Sequence, residues 1–96
     1  MLPKDLLEPL GLDALLVTRP ENVRYLSGFP HPEDAQVLVT GEGAFLLTDP
    51  RYPEAERESR IPAKVLRREE REALLKTLKG RVGFEAEHLP YAALER

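Results

Sequence analysis

The sequence predicts an α/β protein: one domain over residues 1–96, with a mixed sheet and helices on both of its faces. Three observations carry this. "DALLVT" (13–18) is too continuously apolar for a strand with one wet face, so it reads as a central strand covered on both sides. "QVLVTGEGAFLLTD" sets two apolar runs around a short glycine-bearing connection, the pattern of an antiparallel hairpin. After the hairpin, amphipathic stretches alternate with short apolar runs, as expected of parallel strands reached through helical crossovers.

Taken in order, Leu2, Leu6 and Leu10 recur four apart with Leu7 beside them, predicting a short first helix. Pro3 suits its first turn, and Pro9 should end or kink it, because proline lacks an N–H and clashes with the preceding turn. Gly11 then permits the turn into the central strand. "NVRYLSGF" (22–29) connects that strand to the loop "FPHP" and has two readings: ordinary packing, with Tyr25, Leu26 and Phe29 in the core and Arg24 a solvated charge, or a surface arm that presents an aromatic, a guanidinium and an imidazole outward; in either, Gly28 turns the chain at positive φ. In the hairpin, 37–39 pair with 44–47 and the two glycines of "TGEG" supply positive φ. "DPRYPEAERESR" reads as a helix capped by Asp49, with Pro50 at its first position, Pro53 in its first turn and Glu56 four before Arg60. A short strand follows at 63–66. "REEREALLKTLKG" is a helix with Leu74, Leu75 and Leu78 inward, Glu72 facing Lys76 and Gly80 as its stop. "RVGFE" is a last short strand, and "HLPYAALER" begins a further helix with Leu89, Ala93 and Leu94 on one face.

Composition removes several function classes. There is no cysteine, so disulfides and thiolate metal sites are excluded and a reducing, cytoplasmic setting is expected. No apolar run approaches the length that spans a membrane. The net charge of −3, from 14 basic and 17 acidic residues, leaves no basic surface for nucleic acid. Arginine exceeds lysine, glutamate exceeds aspartate, and nine prolines stand beside one methionine, a balance that fits a thermophile.

Catalytic patterns are missing. The histidines are His31 and His88, without an H-E-x-x-H motif, and "HPED" and "EAEH" read as solvated segments rather than metal sites. Ser27 and Ser59 lie in no G-x-S-x-G elbow, and there is no G-x-G-x-x-G or phosphate loop. Asp13, Asp49 and Glu85 fall at strand ends, where a two-metal nuclease would place carboxylates. However, Asp13 precedes its strand, Asp49 is taken as a cap, and the negative balance opposes a polyanion. No catalytic residue and no metal ligand is assigned. The feature left over is the loop Phe29, Pro30, His31, Pro32: two prolines stiffen the chain around one imidazole and lower the entropic cost of holding it in place. A stiff loop on a scaffold is where recognition commonly sits.

Four segments, "GLDALLVTRPENVRYLSGF", "VLVTGEGAFLLTDPRY", "EAERES" and "VGFEAEHLPYAALER", resemble the N-terminal domain of the creatinase/prolidase/aminopeptidase P family, the "pita-bread" metallopeptidases and their relatives. Asn22 to Phe29 match Asn-(Val/Ile)-x-Tyr-Leu-(Ser/Thr)-Gly-Phe, Leu46 to Tyr52 match Leu-Leu-Thr-Asp-x-Arg-Tyr, and Gly83 to Glu85 match Gly-Phe-Glu. The resemblance implies a three-layer α/β/α sandwich of ribonuclease H-like topology, its five-stranded mixed sheet having the second strand antiparallel. It implies structural roles for Asn22, Tyr25, Gly28, Asp49, Arg51 and Tyr52. It places the catalytic set (two Asp, one His and two Glu holding two divalent ions, Mn, Co or Zn) in a C-terminal domain outside this chain, which by itself would be inactive. The partners implied are that catalytic domain, a second subunit in a homodimer, and Xaa-Pro peptides. Phe29, Pro30, His31 and Pro32 would form the loop that overhangs the partner subunit's active site and restricts access. The first helix is shorter than the family's and is broken by Pro9. The competing reading is a stand-alone interaction module of the same fold.

Overall fold

A computed structural model of the protein describes residues 3–85; the helix expected over "HLPYAALER" lies outside them. The chain runs α1 (Pro3–Leu7), β1 (Ala14–Val17), α2 (Pro20–Ser27), β2 (Ala35–Thr40), β3 (Gly43–Thr48), α3 (Ala55–Glu58), β4 (Ala63–Val65), α4 (Arg68–Lys76) and β5 (Val82–Phe84). The strands form one open sheet in the order β4-β3-β2-β1-β5. Strand β2 is antiparallel to β1 and β3, while β1 runs parallel to β5 and β3 parallel to β4. This is the five-stranded mixed sheet that the resemblance implies.

Side-chain alternation divides the strands between two layers. Leu15, Val17, Val37, Val39 and Leu46 point to one face, where Leu7, Val23, Phe29 and Ala55 complete the main core. Leu16, Leu38 and Leu47 point to the other, beneath Leu74, Leu75 and Leu78. Thus α1, α2 and α3 cover one face and α4 the other. Register follows from this pattern: Leu15 faces Val39, and Val37 faces Leu46, so a slip by one residue would turn both rows out of their layers. Strand β1 is buried at all four positions, as its continuous apolar run predicts.

Some expectations need correction. Residues Pro20–Ser27 are helical, not an irregular connection. Pro20 opens the helix, Glu21 lies in its first turn, and Val23 and Ser27 are buried four apart, but eight residues are too few for a periodicity to stand out. Helix α3 is only four residues long and starts at Ala55. Asp49 closes a turn instead of capping it: its Oδ1 accepts from the Arg51 N–H at 2.9 Å, and its carbonyl from the Tyr52 N–H at 3.0 Å. Arg60 therefore falls beyond the helix. Its guanidinium donates to the Tyr25 carbonyl at 2.9 Å rather than facing Glu56. On α4, Glu72 pairs with Arg68 at 3.3 Å, one turn before it, and not with Lys76. In the hairpin, positive φ falls on Gly43 (152°) and not on Gly41.

Gly28 has φ 71° and ends α2 in the left-handed conformation, its N–H donating to the Arg24 carbonyl at 2.7 Å. A Cβ there would also lie 3.0 Å from the Arg60 Nε. Both facts oppose a branched side chain. Gly28→Val should cost about 1–3 kcal/mol, visible in chemical denaturation as a lower midpoint at unchanged slope. An unchanged midpoint would show that the turn relaxes without cost.

Candidate functional site

The end of the sheet where β1, β3 and β5 finish gathers most of the motif residues. At one side, the buried Glu85 carboxylate sits over the start of α2. Its Oε1 accepts the backbone N–H groups of Thr18 (3.0 Å) and Arg19 (2.7 Å), and its Oε2 accepts the Asn22 side-chain amide at 2.6 Å. The Thr18 hydroxyl donates to the Glu85 carbonyl at 2.9 Å. Arg19, the residue before the helix, has no capping side chain, so a carboxylate more than sixty residues away fills that role. Asn22 and Glu85 are thus one device. Asp13 stands at the opposite end of β1, where it accepts the Arg81 N–H at 2.8 Å, so Asp13, Asp49 and Glu85 are not brought together.

At the other side, two loops meet. Phe29 is fully buried, held by its N–H on the Ser27 hydroxyl at 3.1 Å. The half-buried His31 ring stacks on Tyr52 (centroids 4.9 Å, 27°) and meets Phe29 at an edge (5.6 Å, 72°). Phe29 and Tyr52 make the third ring contact, also at an edge, at 5.6 Å. The Tyr52 hydroxyl donates to Asp34 Oδ2 at 2.5 Å. Arg51 grips Asp49 bidentately (3.0 and 2.8 Å) and reaches Asp34 Oδ1 at 3.3 Å. The Asp-x-Arg-Tyr motif therefore ties the turn after β3 to the loop before β2.

The electrostatics follow from these contacts. The Arg51 side-chain hydrogen bond holds the Asp49 carboxyl below its ordinary value. The same bond raises Arg51 further. Tyr52 is raised, chiefly by its hydrogen bond to Asp34 and then by partial burial.

Of the four access-loop candidates, the structure buries two: Phe29, for which a core position was the alternative reading, and Pro32. Phe29 is core because the short loop after α2 drops it between the sheet and Tyr52. Pro30 is exposed and His31 half-exposed. Tyr25, expected inward, is 69% exposed on the outer side of α2, since Val23 and Ser27 occupy the buried stripe. Glu85, which the sequence placed at a strand end and in the Gly-Phe-Glu motif, has a role at the start of α2 that sequence reasoning missed. Its clue was an acidic residue directly after a strand, which has no meaning until α2 is known to begin nearby. Among the described residues no group of three His, Asp or Glu could hold a metal ion, and Asp34 and Asp49 are already taken by Tyr52 and Arg51. The described residues therefore offer no set that fits a metal pair. No described helix is long and apolar enough to cross a membrane.

Comparison with known proteins agrees with this architecture. A family model described as the Creatinase/Prolidase N-terminal domain matches residues 4–96. Among solved structures, the prolidase from Pyrococcus horikoshii OT3 is 30% identical with a TM-score of 0.72, over 97% of this chain and 27% of that one. The N-terminal domain of the cytoplasmic peptidase PepQ from Mycobacterium tuberculosis H37Rv is 30% identical with a TM-score of 0.71, over 97% of this chain and 76% of that one. An Xaa-Pro aminopeptidase from Streptococcus thermophilus is 27% identical with a TM-score of 0.69, over 95% and 73%. The chain thus spans about a quarter of the length of the Pyrococcus prolidase. Comparison with curated proteins finds no significant match.

Two outcomes test the site's geometry. Glu85→Ala should destabilise the fold by about 1–3 kcal/mol, because two backbone N–H groups and the Asn22 amide lose a charged acceptor; denaturation unchanged from the parent would show that water replaces it freely. Tyr52 should titrate above 10.0 in the parent, followed through its ring carbon by NMR, and move down toward that value in Asp34→Asn. The neutral phenol is the hydrogen-bonded form, so its contribution is complete below the ordinary value and is lost as pH rises through the raised one. An ordinary titration in the parent would show that the Tyr52–Asp34 bond does not persist in solution.

Proposed function

Because the chain belongs to the Creatinase/Prolidase N-terminal domain family, we propose that it is the non-catalytic N-terminal domain of a cytoplasmic Xaa-Pro dipeptidase or aminopeptidase. On this reading a C-terminal domain supplies two divalent ions, Mn, Co or Zn, and the hydrolytic chemistry. This domain contributes to a homodimer and shapes access to the partner subunit's active site.

The observation that carries the access role is the clamped imidazole. His31 is pinned between Phe29 and Tyr52, and Tyr52 is itself anchored to Asp34. A donor or acceptor at the rim of a loop is held with little freedom left to lose when a peptide arrives. Pro30 stands beside it, exposed. Phe29 and Pro32 support the rim from beneath. The four loop residues thus divide into two that present and two that hold. Asp49, Arg51 and Tyr52 form the brace behind them.

The test is His31→Ala in the full-length peptidase that this reading implies. KM for Xaa-Pro peptides, or the preference among peptide lengths, should shift several-fold, with kcat changed less because the reacting groups would lie in the other domain. Unchanged KM and length preference in a variant that melts like its parent would remove the gating role.

A further inference from the structure

The layer between α4 and the sheet changes character along its length. At one end it is apolar: Leu16, Leu38 and Leu47 lie beneath Leu74, Leu75 and Leu78. Toward the start of α4 the same stripe continues as Arg71 and Arg68, three and six positions before Leu74. The sheet changes with it. Gln36, two residues before Leu38 on β2 and opposite Leu47, is polar where the pattern provides an apolar side chain. Thr18 follows Leu16 by two in the same way, just past the end of β1. Gln36 and the half-buried Arg71 are polar at core-facing positions, which is informative where an exposed charge such as Arg68 is not. They line a groove of about 350 Å3, open at the carboxyl ends of β1 and β3, where open α/β sheets characteristically take ligands.

The groove's acceptors are largely spent. Asp34 holds the Tyr52 hydroxyl and Arg51, and both oxygens of Asp49 take Arg51. The Thr18 hydroxyl is donated to the Glu85 carbonyl and the Thr48 hydroxyl to the Asp34 carbonyl. Arg71, half-buried, makes one long side-chain bond among the described residues, Nη1 to Gln36 Oε1 at 3.4 Å. Arg68 makes one as well, Nε to Glu72 at 3.3 Å, on an exposed side chain. The Gln36 amide donors have no partner among the described residues. What remains uncommitted is therefore almost entirely donor, in two guanidinium forks and one amide; the exception is Glu33 at the rim.

We propose that this groove binds a carboxylate, specifically the free carboxyl group of a small organic acid or short peptide, between Arg68 and Arg71 with the Gln36 amide completing the set. A planar carboxylate matches the guanidinium fork bidentately. Asp34 and Asp49 also face the groove and oppose a second negative charge, but they share Arg51. Glu33 sits where the ammonium end of a peptide would be accepted. This site is separate from the His31 rim, being built on the α4 face of the sheet.

The test titrates the isotope-labelled chain with glycylglycine, its C-terminal amide, and inorganic phosphate. Glycylglycine should give saturable shifts at the Gln36 amide and Arg71 Nε. The amide should bind at least about tenfold more weakly, as loss of a charge-assisted pair requires. Arg71→Gln should reduce binding by a similar factor. Should that half-buried substitution impair folding, Arg68→Gln, on an exposed side chain, should weaken glycylglycine without moving the melting temperature. The proposal is overturned by any of three results: no saturable shift, equal binding of acid and amide, or phosphate binding as tightly as the carboxylate.

Discussion

The fold depends on a carboxylate that lies far in sequence from the helix it caps. Helix α2 has eight residues, too short to persist alone in water. Glu85, at the end of β5, satisfies the backbone donors at its start. At its other end, the Arg60 backbone N–H donates to the Ser27 carbonyl at 2.7 Å and its guanidinium to the Tyr25 carbonyl. Each terminus is thus completed by a different later segment of the chain. In the folded chain the helix is held from both ends by β5 and by the link between α3 and β4, and the loop bearing His31 takes its position from where α2 stops.

A second constraint is charge economy at that end of the sheet. Three ionisable side chains, Asp34, Asp49 and Arg51, answer one another, and Tyr52 joins them through its hydroxyl. The group is partly exposed, so its value lies less in stability than in geometry. It keeps two loops in register and turns the Tyr52 ring to meet His31. By using up its own acceptors, it also leaves the neighbouring groove on the α4 face with donors facing inward. Among the described residues the two faces of the sheet differ for a simple reason: three helices close one, while α4 alone spans the other and its apolar stripe gives out before the strands do.

The hairpin, the buried β1 and the leucine face of α4 were legible in the sequence, because each carries a local hydrophobic signal: two apolar runs around a glycine-bearing turn, one continuous apolar run, and leucines at helical spacing. α2 and the true start of α3 were not. In α2 only Val23, the half-buried Leu26 and Ser27 carry the stripe. In "DPRYPEAERESR", the Asp-Pro signal that commonly opens a helix instead closes a turn, and Asp49 spends its carboxylate on Arg51. The resemblance marked the motif positions without their orientation. Tyr25 and Phe29 sit four apart in one motif, yet Tyr25 faces solvent and Phe29 lies in the core, because Gly28 reverses the chain between them.

What the sequence determined by itself was whatever neighbouring residues decide: where the strands and α4 run, which of their faces are apolar, the positive φ at Gly28, and membership of a family through three short motifs. What only the tertiary structure decided was whatever distant residues decide together. Glu85 becomes a helix cap through Thr18, Arg19 and Asn22; Arg60 becomes one through Tyr25 and Ser27; His31 becomes a clamped ring through Phe29 and Tyr52; and Arg71 comes to lie over Gln36. Each of these is a hydrogen bond or ring contact between segments tens of residues apart, whose geometry depends on the packing of the whole sheet, and a linear pattern holds no term for such a distance.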